Sequence, residues 1–76
     1  MSTLRRFGVY IAPDGERMIA MPAGEGRTNL YSRRLGITSR PFFVINEEGH
    51  IKSYPDERET MWSVEQLKDS GETYQG

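Results

Sequence analysis

Cysteine is absent from the 76 residues, and with it go disulfide staples, thiolate metal sites, thiol nucleophiles and redox relays. A small chain without staples reads as intracellular, so the expected compartment is the cytoplasm. Long apolar runs are missing as well. No stretch approaches the roughly 20 residues of a membrane-spanning helix, and Met1-Ser2-Thr3-Leu4-Arg5-Arg6 leads into no apolar run of leader length, so no membrane contact is expected. Histidine occurs once, as His50, which rules out a His pair or triad within one chain. Leu, Ile, Val and Phe together supply only fifteen residues, few for a stable interior. A chain of this size buries only about 60% of the surface it exposes when unfolded, which leaves room for one small domain over 1–76 with a thin core.

What the chain does have is charge, unevenly placed. The formal net charge is -1, yet residues 1–40 carry seven arginines against Asp14, Glu16 and Glu25, whereas residues 41–76 carry Lys52, Arg58 and Lys68 against eight acids. Eight of the ten cations are arginine, whose guanidinium fork suits bidentate contact with carboxylate or phosphate. The two halves can fold together and pair these charges, or the arginines can serve a contact surface.

Along the chain, Phe7, Val9 and Ile11 alternate with Arg6, Gly8 and Tyr10 at the period of a strand with one apolar face. Pro13-Asp14-Gly15 supplies turn chemistry before Arg17–Met21, so the two runs read as a β-hairpin. Pro22–Gly26 reads as a mobile loop. Thr28–Gly36 reads as a short helix: Thr28 or Asn29 caps it, Tyr31 and Leu35 meet at i,i+4, and Gly36 ends it. Phe42–Ile45, a turn at Asn46–Gly49, and His50–Tyr54 form a second hairpin, ended by Pro55. Ser63 and Gln66 match a capping box, with Trp62 and Leu67 as a hydrophobic staple, so a second helix is expected over 64–70. Residues 71–76 read as a frayed tail. The expected fold is therefore α+β, in the order β-β-α-β-β-α: two hairpins in a mainly antiparallel sheet with one or two short helices.

Leu35–Ile51 resembles the C-terminal half of thioredoxin-like folds, in which a helix ends in Gly-Ile, a proline (here Pro41) opens a buried strand, an acidic-Gly turn follows and a last helix closes the domain. The likeness covers about 40 residues of this pattern. The Cys-X-X-Cys motif and the preceding β-α-β unit are not there, so no redox activity is implied.

Catalytic and ligand motifs are sparse. His50 follows Glu47-Glu48-Gly49 and reads as an exposed turn histidine. Asp56, Glu57 and Glu59 lack the alternating oxygen ligands of a calcium loop. Gly24–Thr28 lacks the Gly-Lys-Ser/Thr ending of a phosphate-binding loop. No catalytic residue, metal site or cofactor is expected. The arginines with nearby aromatics are the strongest signal: Arg5, Arg6, Arg27, Tyr31, Arg33, Arg34 and Arg40 are the candidate contact residues, with Arg27, Arg33 and Arg34 gathered on one side of the expected helix and Tyr10 nearby. Arg, Met, Trp and Tyr are enriched at protein interfaces. The expected function is a non-enzymatic regulator or inhibitor, of the kind that phages encode, docking on a larger protein. The alternative is nucleic-acid binding by the same arginines. A homodimer through an exposed edge strand of the first hairpin is a further expectation.

Overall fold

The structure, a computed structural model, describes residues 4–38, 40–54 and 56–75. Seven strands build one antiparallel sheet: β1 (Gly8–Ile11), β2 (Arg17–Gly24), β3 (Arg27–Ser32), β4 (Phe43–Ile45), β5 (His50–Ser53), β6 (Glu59–Ser63) and β7 (Lys68–Thr73). They lie in the order β6-β5-β4-β3-β2-β1-β7, a run of consecutive hairpins whose last strand returns to flank the first. One 3-10 turn, Val64–Gln66, links β6 to β7. Tyr10 of β1, Ile51 of β5 and Val64 share a single core cluster, so the sheet curls until strands from its two wings meet the same interior. β6 and β7 do not pair with each other, which leaves a half-barrel with two edges.

This architecture corrects the α+β reading. Among the described residues no helix exceeds the one 3-10 turn, and none is long and apolar enough to cross a membrane. Thr28–Gly36 is not helical. Its first residues lie in β3, paired with β2 on one side and β4 on the other, and the chain then turns, with the Gly36 N–H donating to the Ser32 carbonyl at 2.8 Å. The helix-end and closing-helix elements of the thioredoxin-like pattern are therefore missing. The capping signal at Ser63 is real but short: the Gln66 side chain accepts the Ser63 N–H at 2.9 Å, and the helix it starts stops after one turn. Residues 68–73, expected as helix and tail, form β7, and the Tyr74 N–H donates to the Phe7 carbonyl at 2.7 Å. Pro22–Gly24, expected as loop, extends β2. The two turn sequences do produce antiparallel pairs, β1 with β2 and β4 with β5. Pro55 lies outside the described residues.

Register explains why a thin set of apolar residues suffices. Tyr10 faces Met18, Ala20 faces Leu30, and Ile45 faces Ile51, so one face of the pleat gathers the core cluster. Alternation puts Val9, Ile19 and Tyr31, which also stand opposite one another, on the other face, where Val9 and Ile19 are fully buried. Of the apolar face expected from Phe7, Val9 and Ile11, Val9 and Ile11 lie in β1, on the far side of the sheet from that cluster, and Phe7 precedes the strand.

Both edges end in the same device. Ser70, Gly71 and Glu72 of β7 stand opposite Val9 alone, and Thr60, Met61 and Trp62 of β6 stand opposite Ile51 alone. In each bulge a hydroxyl holds the strand in place. Ser70 Oγ donates to the Val9 carbonyl at 2.6 Å and accepts the Glu72 N–H at 3.2 Å. Thr60 Oγ1 donates to the Ile51 carbonyl at 2.7 Å and accepts the Trp62 N–H at 3.2 Å. Bulges of this kind interrupt the regular row of edge groups that a foreign strand would use. The first hairpin itself has no free edge, because β1 lies between β2 and β7.

Candidate functional site

Because Arg27 opens β3 and Arg34 follows its end, a strand separates the two residues that a helix would have placed on one side. Five steps of about 3.3 Å put some 17 Å between the ends of β3. The structure therefore divides the candidate arginines into distinct environments.

Arg5 is bound to β7. Its Nε and Nη2 donate to the two Asp69 carboxylate oxygens at 3.0 and 2.6 Å, Nη1 donates to Thr73 Oγ1 at 2.9 Å, and Nη2 also reaches the Glu72 carbonyl. The fork uses nearly its whole donor set inside the molecule. Its hydrogen bonds and the Gly71 N–H hold the Asp69 carboxyl below the usual aspartate range, and the hydrogen bond to Asp69 in turn raises Arg5. Arg27 is ion-paired to Glu57. Arg33 donates from Nε to Glu72 Oε2 at 2.9 Å, and its guanidinium stands 5.3 Å above the Tyr74 ring. Arg6 is exposed and lies over the ring of Phe7. Arg40 is exposed.

Arg17, which the sequence did not single out, completes one group. It approaches the other Glu72 oxygen at 3.7 Å, so Arg17 and Arg33 share a single carboxylate. Arg34 lines the same shallow depression as Arg17 and Arg33, together with Asp14 and Glu16, and makes no ion pair among the described residues. The neighbouring cleft keeps Asp14, Glu16 and Arg17 in its wall and adds Met18 and Phe42. Phe42 is 43% exposed and Leu35, next to Arg34, 51%. The candidate site is thus an end of the half-barrel that mixes arginines, carboxylates and exposed apolar side chains.

Tyr10 does not belong to it. That ring is buried in the core, and its hydroxyl accepts the Arg5 backbone N–H at 2.7 Å, so it offers no stacking face to a base. Tyr31 is half-buried opposite Ile19. His50 is exposed at the start of β5. Among the described residues no group of three or more His, Asp or Glu side chains is placed to hold a metal ion. Comparison with protein-family models, with curated proteins and with solved structures finds no match for the chain.

The charge split along the chain resolves into contacts across it. Arg5–Asp69, Arg17–Glu72, Arg33–Glu72 and Arg27–Glu57 each join the basic half to the acidic half. Three of the four end on β7, whose sequence Lys68-Asp69-Ser70-Gly71-Glu72-Thr73 contributes no large apolar residue. Composition already pointed this way: Asp14, Glu16 and Glu25 are too few to answer seven arginines, and the acidic half holds eight more acids, two of them in a segment with nothing to bury.

Proposed function

We propose that the chain is a non-enzymatic binding module that acts in the cytoplasm by docking on a larger protein, and that it does so through the end of the half-barrel carrying Arg17, Arg33, Arg34, Leu35 and Phe42. The observation that supports this reading is that Arg34, which makes no ion pair among the described residues, and the exposed Phe42 line adjoining depressions that share Asp14, Glu16 and Arg17, with the exposed Leu35 next to Arg34 in the sequence. Arginine with exposed apolar side chains is the composition that buried protein interfaces favour. Nucleic acid is the weaker reading, because Asp14 and Glu16 stand among these arginines and would meet a phosphate backbone with repulsion, while Arg5, Arg27 and Arg33 already hold carboxylates.

Arg33 anchors β7 through Glu72, so its reversal would confound folding with binding. Arg34→Glu and Leu35→Asp are the clean variants. Tagged wild-type protein, incubated with lysate of its natural host with and without nuclease, is expected to retain a stoichiometric protein in both arms, and each variant is expected to lose it with unchanged circular dichroism. Retention by both variants overturns the proposed face. A catch that disappears with nuclease overturns the protein-docking reading in favour of nucleic acid.

A further inference from the structure

At the other end of β2 from the arginines lies a groove with the opposite charge. β2 begins at Arg17 and ends at Gly24, and its seven steps of about 3.3 Å set the two ends some 23 Å apart, close to the 22–27 Å extents of the whole molecule. The groove has a volume of about 390 Å³ and runs between the β2–β3 turn, the β4–β5 turn and the 3-10 turn. Its floor is apolar: Leu4, Pro22, Ile45 and Val64 contribute to it, and Ile45 and Val64 belong to the core. The walls are set by backbone. Asn46 Oδ1 accepts the Glu48 and His50 N–H groups and fixes the β4–β5 turn, while the Gly49 Cα backs onto Val64 so closely that an added Cβ would stand 3.3 Å from Val64 Cγ1.

The rim carries Glu47, Glu48 and Glu65. None of these three forms an ion pair among the described residues, in contrast to Asp69 and Glu72 at β7. The one cation in the lining, Arg27, is already engaged by Glu57. The Glu65 carboxyl is held below the usual glutamate range by its own backbone N–H and the Ser63 hydroxyl, with smaller contributions from His50 and the N-terminal amine. An open apolar trough thus sits beside three carboxylates, of which Glu47 and Glu48 form no ion pair among the described residues.

We infer that this groove binds an apolar side chain flanked by lysine or arginine on another protein. The volume lies at the lower end of the roughly 300–1,000 Å³ typical of small-ligand sites, room for a side chain or two. The groove is open along one side, so it receives a projecting side chain better than it encloses a free small molecule. The rim selects the flanking charge, since opposite charges around a desolvated apolar contact favour the right partner and repel the wrong one. This inference rests on a different surface from Arg34 and does not depend on the arginine-face reading.

The test is a titration of ¹⁵N-labelled full-length protein, read by amide shifts, with three probes: acetyl-Lys-Leu-Lys-amide, acetyl-Lys-Ser-Lys-amide and acetyl-Glu-Leu-Glu-amide. The first is expected to give saturable shifts centred on the amides of Gly24, Gly26, Gly49, Val64 and Glu65, and the other two are not. The double variant Glu47→Lys/Glu48→Lys is expected to weaken binding of the first probe about fivefold or more and to bind the acidic probe instead. Should that variant fail to give a dispersed spectrum, Glu48→Gln serves in its place and is expected to weaken binding in the same direction. The inference is overturned if the first probe gives no saturable shift, if the serine or acidic probe matches it, or if the variants bind it as wild type does.

Discussion

Thr60→Val removes one oxygen and keeps the side chain's shape, so it isolates the hydroxyl that holds the β6 bulge. Two hydrogen bonds are lost: the one Thr60 Oγ1 donates to the Ile51 carbonyl at 2.7 Å and the one it accepts from the Trp62 N–H at 3.2 Å. Each is worth about 1 kcal/mol net, and valine's strand preference returns a few tenths, so the expected loss is about 1–2 kcal/mol. A chain of this length has roughly 4–11 kcal/mol in total, and each kcal/mol shifts the melting temperature of a small domain by about 4–8 °C. A fall of about 5–15 °C is therefore expected, with a lower denaturant midpoint and an unchanged slope. Ser70→Ala removes the matching hydroxyl at the other edge and is expected to cost a similar amount. Because five strands separate the two bulges, the double variant should lose the sum within about 0.5 kcal/mol. Thr60→Ser keeps the oxygen and should retain most of the stability. A loss confined to the Ser variant would assign the effect to the methyl group, and a Val variant as stable as wild type would refute the hydroxyl-held bulge.

Other expectations follow from the same contacts. Leu30→Ala, at a fully buried site in the central strand, should cost about 2–5 kcal/mol, enough to unfold a large fraction of the protein at 37 °C; a shift under about 1 kcal/mol in chemical denaturation would contradict the central place of β3. Gly36→Ala should detach Tyr74, because Gly36 has φ +82° and an added Cβ would stand 2.9 Å from the Tyr74 hydroxyl oxygen, and tyrosine fluorescence together with amide shifts on β7 should report it. The Asp69 carboxyl is held below its unfolded value by Arg5, so its contribution is complete above the ordinary aspartate value of about 3.9 and is lost as pH falls through the lowered one. Asp69→Asn should flatten that part of the stability profile below pH 4, and an identical profile would show the pair to be idle.

The parts of the fold legible in the sequence are those where one residue type decides local geometry. Pro13-Asp14-Gly15 and Asn46–Gly49 mark hairpin turns, and Gln66 caps Ser63 as its spacing implies. β3 was hidden because its inward positions include Thr28 and Ser32 beside Leu30. Ser32 is buried yet polar, and its hydroxyl accepts the Leu35 N–H at 3.4 Å, so the period-2 signal is broken while Tyr31 and Leu35 mimic a helical pair. β7 was hidden for the opposite reason: it buries almost nothing and is held by ladder bonds, the Ser70 hydroxyl and three arginines. Hydropathy patterning has no access to such a strand. The charge split foretold that the halves meet, but only the side-chain contacts show which arginines are consumed in doing so, and Arg34 is not among them.

The claim on which the rest stands is that residues 27–32 and 68–73 are strands, the second returning to β1. Proton–proton contacts in solution read this directly. Cross-strand contacts are expected between Ile19 and Tyr31 and between Gly8 and Thr73, with weak contacts between successive amide protons through both segments. Strong successive amide contacts through 28–35 or 64–70, without the cross-strand set, would restore helices there and contradict it.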